Sequence, residues 1–521
     1  MAPGPAETWG HTALQAFSGH PVSTIDRDIA VSTDARASGP GTPGARETSL
    51  TRAVLWLSAG VILAHFVLVF GAGWGGDEFF NIAIFRQNGL NWLVVRMLEW
   101  SPRPASDCVL YLYALAVNHW HMPLIAPFLA TLWGILFASM ILAARQPGSP
   151  DRAAQTALAL SVGAMFLLGH GLNDLFFWPM GAAPYLLDLA GITVVTFQII
   201  SGGVARPAGQ WACALGLALA ATSSETGLFF ALVFTVALVI LHLLAWPRSS
   251  RADSSRQAWF VVPLAISLAV AACLACIVRN NPMRGIDAGS AYFHHFWPSL
   301  AATMAFAVPD MFWRDGGPAG IGWPAALVSD ALLFAGFVWG CRVAFCNRLP
   351  GREMAALAAA LLSCFTLTIF TSYFEYSERV HEPQTAFRRC LVVLGLLAAA
   401  RLAGPIADRR RHLLQRLGPM ALLGAIAIGF VLRLPGLMND YALIPDMRAA
   451  RTLTWQSGLD PTTATLRYVP PPQGEVLHGL IPSPPGRFVR GAPGIEWWMT
   501  GLMDFFNKRG LEFAPLPAHG G

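Results

Sequence analysis

The sequence predicts an all-α polytopic membrane protein, and three observations carry that prediction. Of the 521 residues, 55% are hydrophobic and only 12% charged, with a mean hydropathy of +0.50, more apolar surface than a soluble core can enclose. About eleven apolar runs follow one another along the chain, most of them near the length a helix needs to cross a bilayer. Arginines gather in alternate short loops, the asymmetry that sets orientation. The net charge of +5 is spread thinly, which leaves no basic footprint for nucleic acid.

Residues 1–50 are rich in Gly, Pro, Ser, Thr and Ala without apolar periodicity, so a disordered cytoplasmic N-terminus is expected there. The first run, Ala53 to Phe70, has no ionised side chain and no small-residue cleavage site after it, which predicts a retained helix rather than a signal peptide. Further runs are Pro123 to Ala144, Ala154 to Gly169, Pro184 to Ser201, Trp211 to Ala221, Gly227 to Trp246, Trp259 to Val278, Trp323 to Phe345, Met354 to Tyr373, Cys390 to Ala403 and Pro419 to Leu434. These give a transmembrane domain over 51–436 and a small periplasmic segment over 437–521. With the N-terminus inside, the inner loops hold Arg145 with Arg152, Arg206, Arg248 with Arg251, Arg342 with Arg352, and Arg409 to Arg411. The outer side then receives residues 71–122, Asn280 to Gly322, Phe374 to Arg389, and the C-terminal segment.

The chain is organised around Trp74-Gly75-Gly76-Asp77-Glu78-Phe79-Phe80, two adjacent carboxylates at the predicted mouth of the first helix. Asn81 to Glu99 alternates apolar and polar residues at helical spacing, which suits a helix lying in the interface plane. Ser223 to Gly227 interrupts two apolar runs, and a break at membrane depth is tolerated only against protein or a wet cavity. The cysteines, Cys213, Cys364 and Cys390 among them, lie mostly in apolar runs as small hydrophobes, and Cys273 with Cys276 fall at helical spacing without acidic or His partners. His294-His295 point apart on any regular element, a poor start for a metal site. The tail carries two Pro-rich pieces and Trp497-Trp498 but no decisive motif.

Polar groups cluster at the predicted outer ends: Asp174 before Phe177-Trp178-Pro179-Met180-Gly181, Tyr185 and Asp188 in the next helix, Glu225 in the break, and Glu375, Glu378, Arg379, His381, Glu382, Arg388 and Arg389 in one short stretch. Helix caps and interfacial anchors account for any one of them, whereas ionisable groups near a bilayer point to function when they gather. A guanidinium fork matches phosphate oxygens, and a carboxylate accepts a proton from an attacking hydroxyl. Together they predict a site for an anionic, lipid-linked substrate.

Five features carry a resemblance: the Asp77-Glu78 pair after the first helix, the amphipathic stretch ending Trp100-Ser101-Pro102-Arg103, the Phe177 to Gly181 loop, Ser224-Glu225, and the late loop with Arg379 and Arg388. Over Arg52 to Leu434 the chain resembles the GT-C superfamily of membrane glycosyltransferases, of the bacterial type that takes sugar from a polyprenyl-phosphate donor. The resemblance implies a GT-C-like bundle in the inner (plasma) membrane with its active site on the periplasmic side. It implies Asp77 as catalytic base, and Glu78 as its assistant or as ligand to Mg2+ or Mn2+. Arg103, Arg379 and Arg388 are implied to bind the donor phosphate, with Asp174 standing where a second acidic motif is expected. Trp178, Tyr185, Glu225 and His381 complete the expected substrate site. The implied acceptor is a glycan, glycolipid or protein. Two rivals use the same residues differently: a transporter or flippase of lipid-linked sugar would need polar groups at mid-membrane, where His65, His242 and Asp330 stand isolated, and an outer-face polymerase or ligase would need the arginines without the acidic pair.

Overall fold

A computed structural model describes residues 45–146, 151–245, 258–280, 296–309, 323–345, 347, 349–376, 382–404, 411–479, 481–482 and 484–516. The N-terminal residues 1–44, Arg379, His381 and His294-His295 lie outside the described residues. Sixteen α-helices can be named among them. They are α1 Ala45–Val67, α2 Gly76–Asn88, α3 Leu90–Val95, α4 Pro104–Trp120, α5 Ile125–Ala144, α6 Arg152–Phe166, α7 Pro179–Ile200 and α8 Pro207–Ser223. Then come α9 Glu225–Ala245, α10 Val261–Asn280, α11 Phe296–Pro309, α12 Trp323–Ala344, α13 Gly351–Tyr376, α14 Glu382–Ala403, α15 Arg411–Leu459 and α16 Trp497–Phe506.

All eleven apolar runs fall on helices, and eight helices among the described residues are long and apolar enough to cross a membrane. The protein is a largely helical, multi-pass membrane protein. The other three runs differ for physical reasons. Helix α6 has 15 residues and α8 has 17, about 23 and 26 Å at 1.5 Å per residue, short of the ~30 Å hydrocarbon core. Helix α14 is long enough but carries Glu382, Arg388, Arg389 and Arg401, and it sits inside the bundle, where both central arginines are fully buried. Helix α7 is the centre of the packing, with 83% of its most apolar window buried. Its approach to α8 is set by small residues: a Cβ on Gly191 would lie 2.4 Å from the Gly216 carbonyl oxygen, so only glycine lets the two backbones meet there.

Hydrogen bonds and ion pairs gather the polar groups into two clusters. One end gathers the 71–124 region, the Asn173–Phe177 turn, the Ser223–Glu225 break and the start of α14. At the other end Arg206 donates to the Gln146 side chain, Asn347 Nδ2 to the Ser201 carbonyl at 3.1 Å, and Arg401 Nε to the Ile200 carbonyl at 2.9 Å. Asp330, isolated in sequence, forms a buried ion pair with Arg389 at 2.9 Å that ties α12 to α14.

The described part of the C-terminal segment has structure of its own. Helix α15 runs unbroken through residues 436 and 437, where a domain boundary was expected. Its 49 residues span about 74 Å, more than twice the ~30 Å core, so it projects well beyond a bilayer. Beyond it, three short strands make a sheet in the order β1-β3-β2, with β1 Thr465–Tyr468 parallel and β2 Arg487–Val489 antiparallel to β3 Gly510–Phe513. These three short strands are a small addition to an otherwise helical chain. Buried Leu466, Tyr468 and Leu511 hold the sheet, and Lys508 Nζ donates to the Asp460 carbonyl and, at 2.8 Å, to that of Thr463, closing the end of α15. The Asp440 carboxylate accepts the N–H groups of Glu475 and Val476, each at 2.7 Å, which pins the Pro-rich loop to α15.

Helix α16 packs directly on α2, the helix that begins with the acidic pair. A Cβ on Gly76 would sit 2.5 Å from Trp498 Cβ, and one on Gly501 would sit 2.9 Å from Phe80 Cβ, so glycines on both sides set the closeness of that contact. Arg86 donates to the carbonyls of Asp504 at 3.1 Å and Phe505 at 2.8 Å at the C-terminus of α16.

Candidate functional site

After α1 the chain turns through Gly71 to Gly75, and the Trp74 indole anchors the turn. Its N–H donates to the Tyr113 hydroxyl at 2.8 Å, which donates in turn to the Pro123 carbonyl, while Phe79, Trp455 and Phe505 pack edge-on around the ring. Helix α2 then starts with Asp77 and Glu78 in its first turn, where the helix dipole favours negative charge.

The two carboxylates are held very differently. Glu78 is fully buried and accepts three N–H groups: Gly75 at 2.8 Å and Trp178 Nε1 at 2.8 Å on one oxygen, and the Met180 amide at 2.9 Å on the other. It is a cap for α2 and a clamp on the 178–180 loop, joining two sequence features 100 residues apart. Asp77 is half-buried, and among the described residues its carboxylate makes no hydrogen bond or ion pair. Only its backbone carbonyl is engaged, accepting from Asn81 Nδ2 at 2.8 Å. Burial raises the Asp77 pKa above the usual carboxylate range, opposed by the nearby Arg96 charge.

Arg96 and Asp107, outside the expected site, build its next layer. Arg96 donates to Asp107 at 2.9 Å and to Asn81 Oδ1 at 2.8 Å from a π-turn over Arg96–Trp100. The signal that marks Asp107 is a carboxylate in the first turn of an otherwise apolar helix. Helices α2 and α3 occupy the stretch expected to lie in the interface, with Leu90, Val94 and Leu98 exposed along it.

The helix break meets the Trp100 to Arg103 stretch. Arg103 pairs with Glu225, which also accepts the Ser101 hydroxyl at 2.6 Å, and the Ser106 hydroxyl donates to the Ser223 carbonyl at 2.9 Å. Both members of the Arg103–Glu225 pair keep some exposure, 21% and 29% of their side chains, so this cation can be approached. Ser224 caps α9 by accepting the Gly227 N–H at 3.0 Å and donates to the buried Asp188 carboxylate at 2.6 Å. Tyr185 is half-buried, its ring 5.9 Å from Phe387 of α14. Asp174 takes the Asn173 amide at 3.1 Å and lies 3.9 Å from His478 Nε2, a residue of the C-terminal segment.

Arg388 lies inside the bundle. Expected to hold a phosphate, it is fully buried and donates to the Thr368 carbonyl at 2.8 Å and to the Ser372 hydroxyl at 2.5 Å, both on α13. A guanidinium inside a helical bundle has to be satisfied by its neighbours, and α13 offers those oxygens. The expected Mg2+ or Mn2+ site also lacks a donor set: both Glu78 oxygens face N–H groups, and among the described residues no group of three or more His, Cys, Asp or Glu is placed to hold a metal. Those residues do not fit a divalent cation. No protein-family model matches the chain, and no curated protein matches it. What defines the protein is thus its own geometry, a helical multi-pass bundle with a built acidic site at one end.

Burial pushes the Glu78 pKa up to about 8 from an ordinary 4.5, against its three N–H donors, which favour the ionised form. A carboxyl group raised on folding stabilises the fold fully below pH 4.5, and that contribution is lost as pH rises through about 8. The melting temperature of purified protein is therefore expected to fall between pH 5 and 9. In Glu78→Gln, with no group to titrate there, the fall should be smaller. Parallel curves for the two proteins would contradict the assignment.

Proposed function

We propose that the protein is a membrane glycosyltransferase that moves one sugar from a polyprenyl-phosphate donor to a glycan, glycolipid or protein acceptor on the outer face of the bacterial inner membrane. The observation that carries this reading is the contrast within the acidic pair: Glu78 is fixed by three donors, while Asp77 keeps an unengaged, half-buried carboxylate beside it. In the proposed step the acceptor oxygen attacks the anomeric carbon, and its proton passes to the Asp77 carboxylate. The bond between the anomeric carbon and the phosphate oxygen breaks, and the phosphate leaves with the electron pair. Raising the Asp77 pKa by burial moves it towards the working range of a general base. Arg103, partly exposed and steadied by Glu225, is the cation that meets the charge on the leaving phosphate. The ion pair between Asp330 and Arg389 argues against a transporter, because the acid at membrane depth is already neutralised by a partner.

Incubating the purified protein with a panel of polyprenyl-phosphate sugars tests the reading. Donor-dependent labelling of an acceptor glycan or lipid is expected for at least one sugar, and no consumption of any donor would refute it. The outer-face placement has its own test, motivated by the arginines of the inner loops. Reporter fusions after Ala245 and after Leu459 should report cytoplasm and periplasm respectively, and the same side for both would overturn it.

A further inference from the structure

A cavity lies between the Gly71 to Trp74 turn, the Met447 to Trp455 part of α15 and the Pro-rich loop pinned by Asp440. We propose that this cavity binds an oxyanion, the phosphate of a phosphate ester, with Arg451 as the cation that receives it. The proposal stands apart from the glycosyl-transfer reading.

Of the other enclosed arginines, Arg96 pairs with Asp107, Arg103 with Glu225 and Arg389 with Asp330, Arg388 and Arg401 each donate to at least two neutral oxygens, and Arg433 lies in the field of Glu475 and Asp440. Arg451 is half-buried, donates through one nitrogen to the Ala72 carbonyl at 2.6 Å, and forms no ion pair among the described residues. No acidic residue is among the described residues that line the cavity, and His478 is its other cation-forming side chain, with Asp174 3.9 Å from the imidazole. Withdrawing a cation from water with one neutral acceptor in place of its solvation is costly, so a cavity that does this is suited to an anion from outside. The guanidinium fork offers paired donors to phosphate oxygens. Trp74 and Trp455 stand with ring centres 5.2 Å apart at the same cavity, and Trp455 follows Arg451 by one helical turn. Their faces and edges suit the apolar or ring-bearing body of an ester. The same chemistry serves a soluble phosphate ester or an anionic phospholipid headgroup, since the cavity lies at the end of the bundle.

Equilibrium binding of labelled orthophosphate and of glucose 1-phosphate to the full-length protein in nanodiscs tests the proposal. Arg451→Gln should weaken binding at least about tenfold, the scale of a charge-assisted bond. Arg451→Lys, which keeps the charge and loses the fork, should weaken it by roughly threefold. Arg487→Gln, on an exposed strand outside the cavity lining, should leave it unchanged. Competition by phosphatidylglycerol but not by phosphatidylcholine would identify a headgroup as the natural source; indifference to lipid composition would identify a soluble ester, and both support the site. Wild-type affinity in whichever Arg451 variant folds, absence of saturable binding by the wild type, or an equal loss with Arg487→Gln would overturn it.

Discussion

Replacing Asp77 by Asn is expected to lower the rate of sugar transfer by about 10² to 10⁴-fold, the usual contribution of a general base. Asparagine keeps the size and polarity of the side chain but cannot accept the acceptor's proton. Because the Asp77 carboxylate makes no hydrogen bond or ion pair among the described residues, folding and donor binding should survive the change. A cap would behave differently: losing one lowers stability by about 1 kcal/mol and leaves the rate per folded molecule alone. That second outcome fits Glu78 better, whose carboxylate closes the first turn of α2. Transfer rates normalised to folded protein, measured for both variants beside the wild type, separate the two roles.

The largest expected effect on stability belongs to Arg389. Removing its charge, as in Arg389→Met, leaves Asp330 buried without the partner 2.9 Å away and should destabilise the protein by about 3 to 5 kcal/mol. The double variant Arg389→Met with Asp330→Leu should regain most of that loss, because replacing a buried pair by apolar side chains of similar volume is close to neutral. Unfolding midpoints in micelles check this. Additive losses in the double variant would show that the pair is not the reason for the effect.

The apolar runs were legible because a membrane helix announces itself by length and composition, and each run indeed falls on a helix. Helix α15 was legible only in part. Its apolar run ends at Leu434, yet the helix continues through Pro435 and Pro445, since a missing N–H and a displaced carbonyl can be accommodated by neighbouring segments. The strands escaped notice because they hold only three or four residues each between prolines and glycines.

At the candidate site, residue types were readable and their partners were not. The sequence offers Asp77 and Glu78 as equals; only the meeting of Glu78 with Trp178 and Met180 distinguishes them. Arg103 and Glu225 were both singled out without any sign that they pair across more than a hundred positions. The surroundings of Arg388 were unreadable for a similar reason. Nothing local tells whether an arginine near a helix start faces water or the interior, and here the oxygens of α13 decide it. The role of the C-terminal segment lay wholly in tertiary contacts: His478 approaches Asp174, and α16 lies on α2, neither visible from composition.

In the proposed reaction the acidic site breaks a sugar–phosphate bond rather than carrying the intact lipid across the membrane. Proteoliposomes loaded with polyprenyl-phosphate sugar, labelled separately in the sugar and in the lipid, test it most directly when acceptor is supplied outside. The account predicts one polyprenyl phosphate freed for each sugar joined to the acceptor, with both products lost in Asp77→Asn. Movement of the intact donor between leaflets at the same rate in wild type and Asp77→Asn, with no polyprenyl phosphate released, would contradict it.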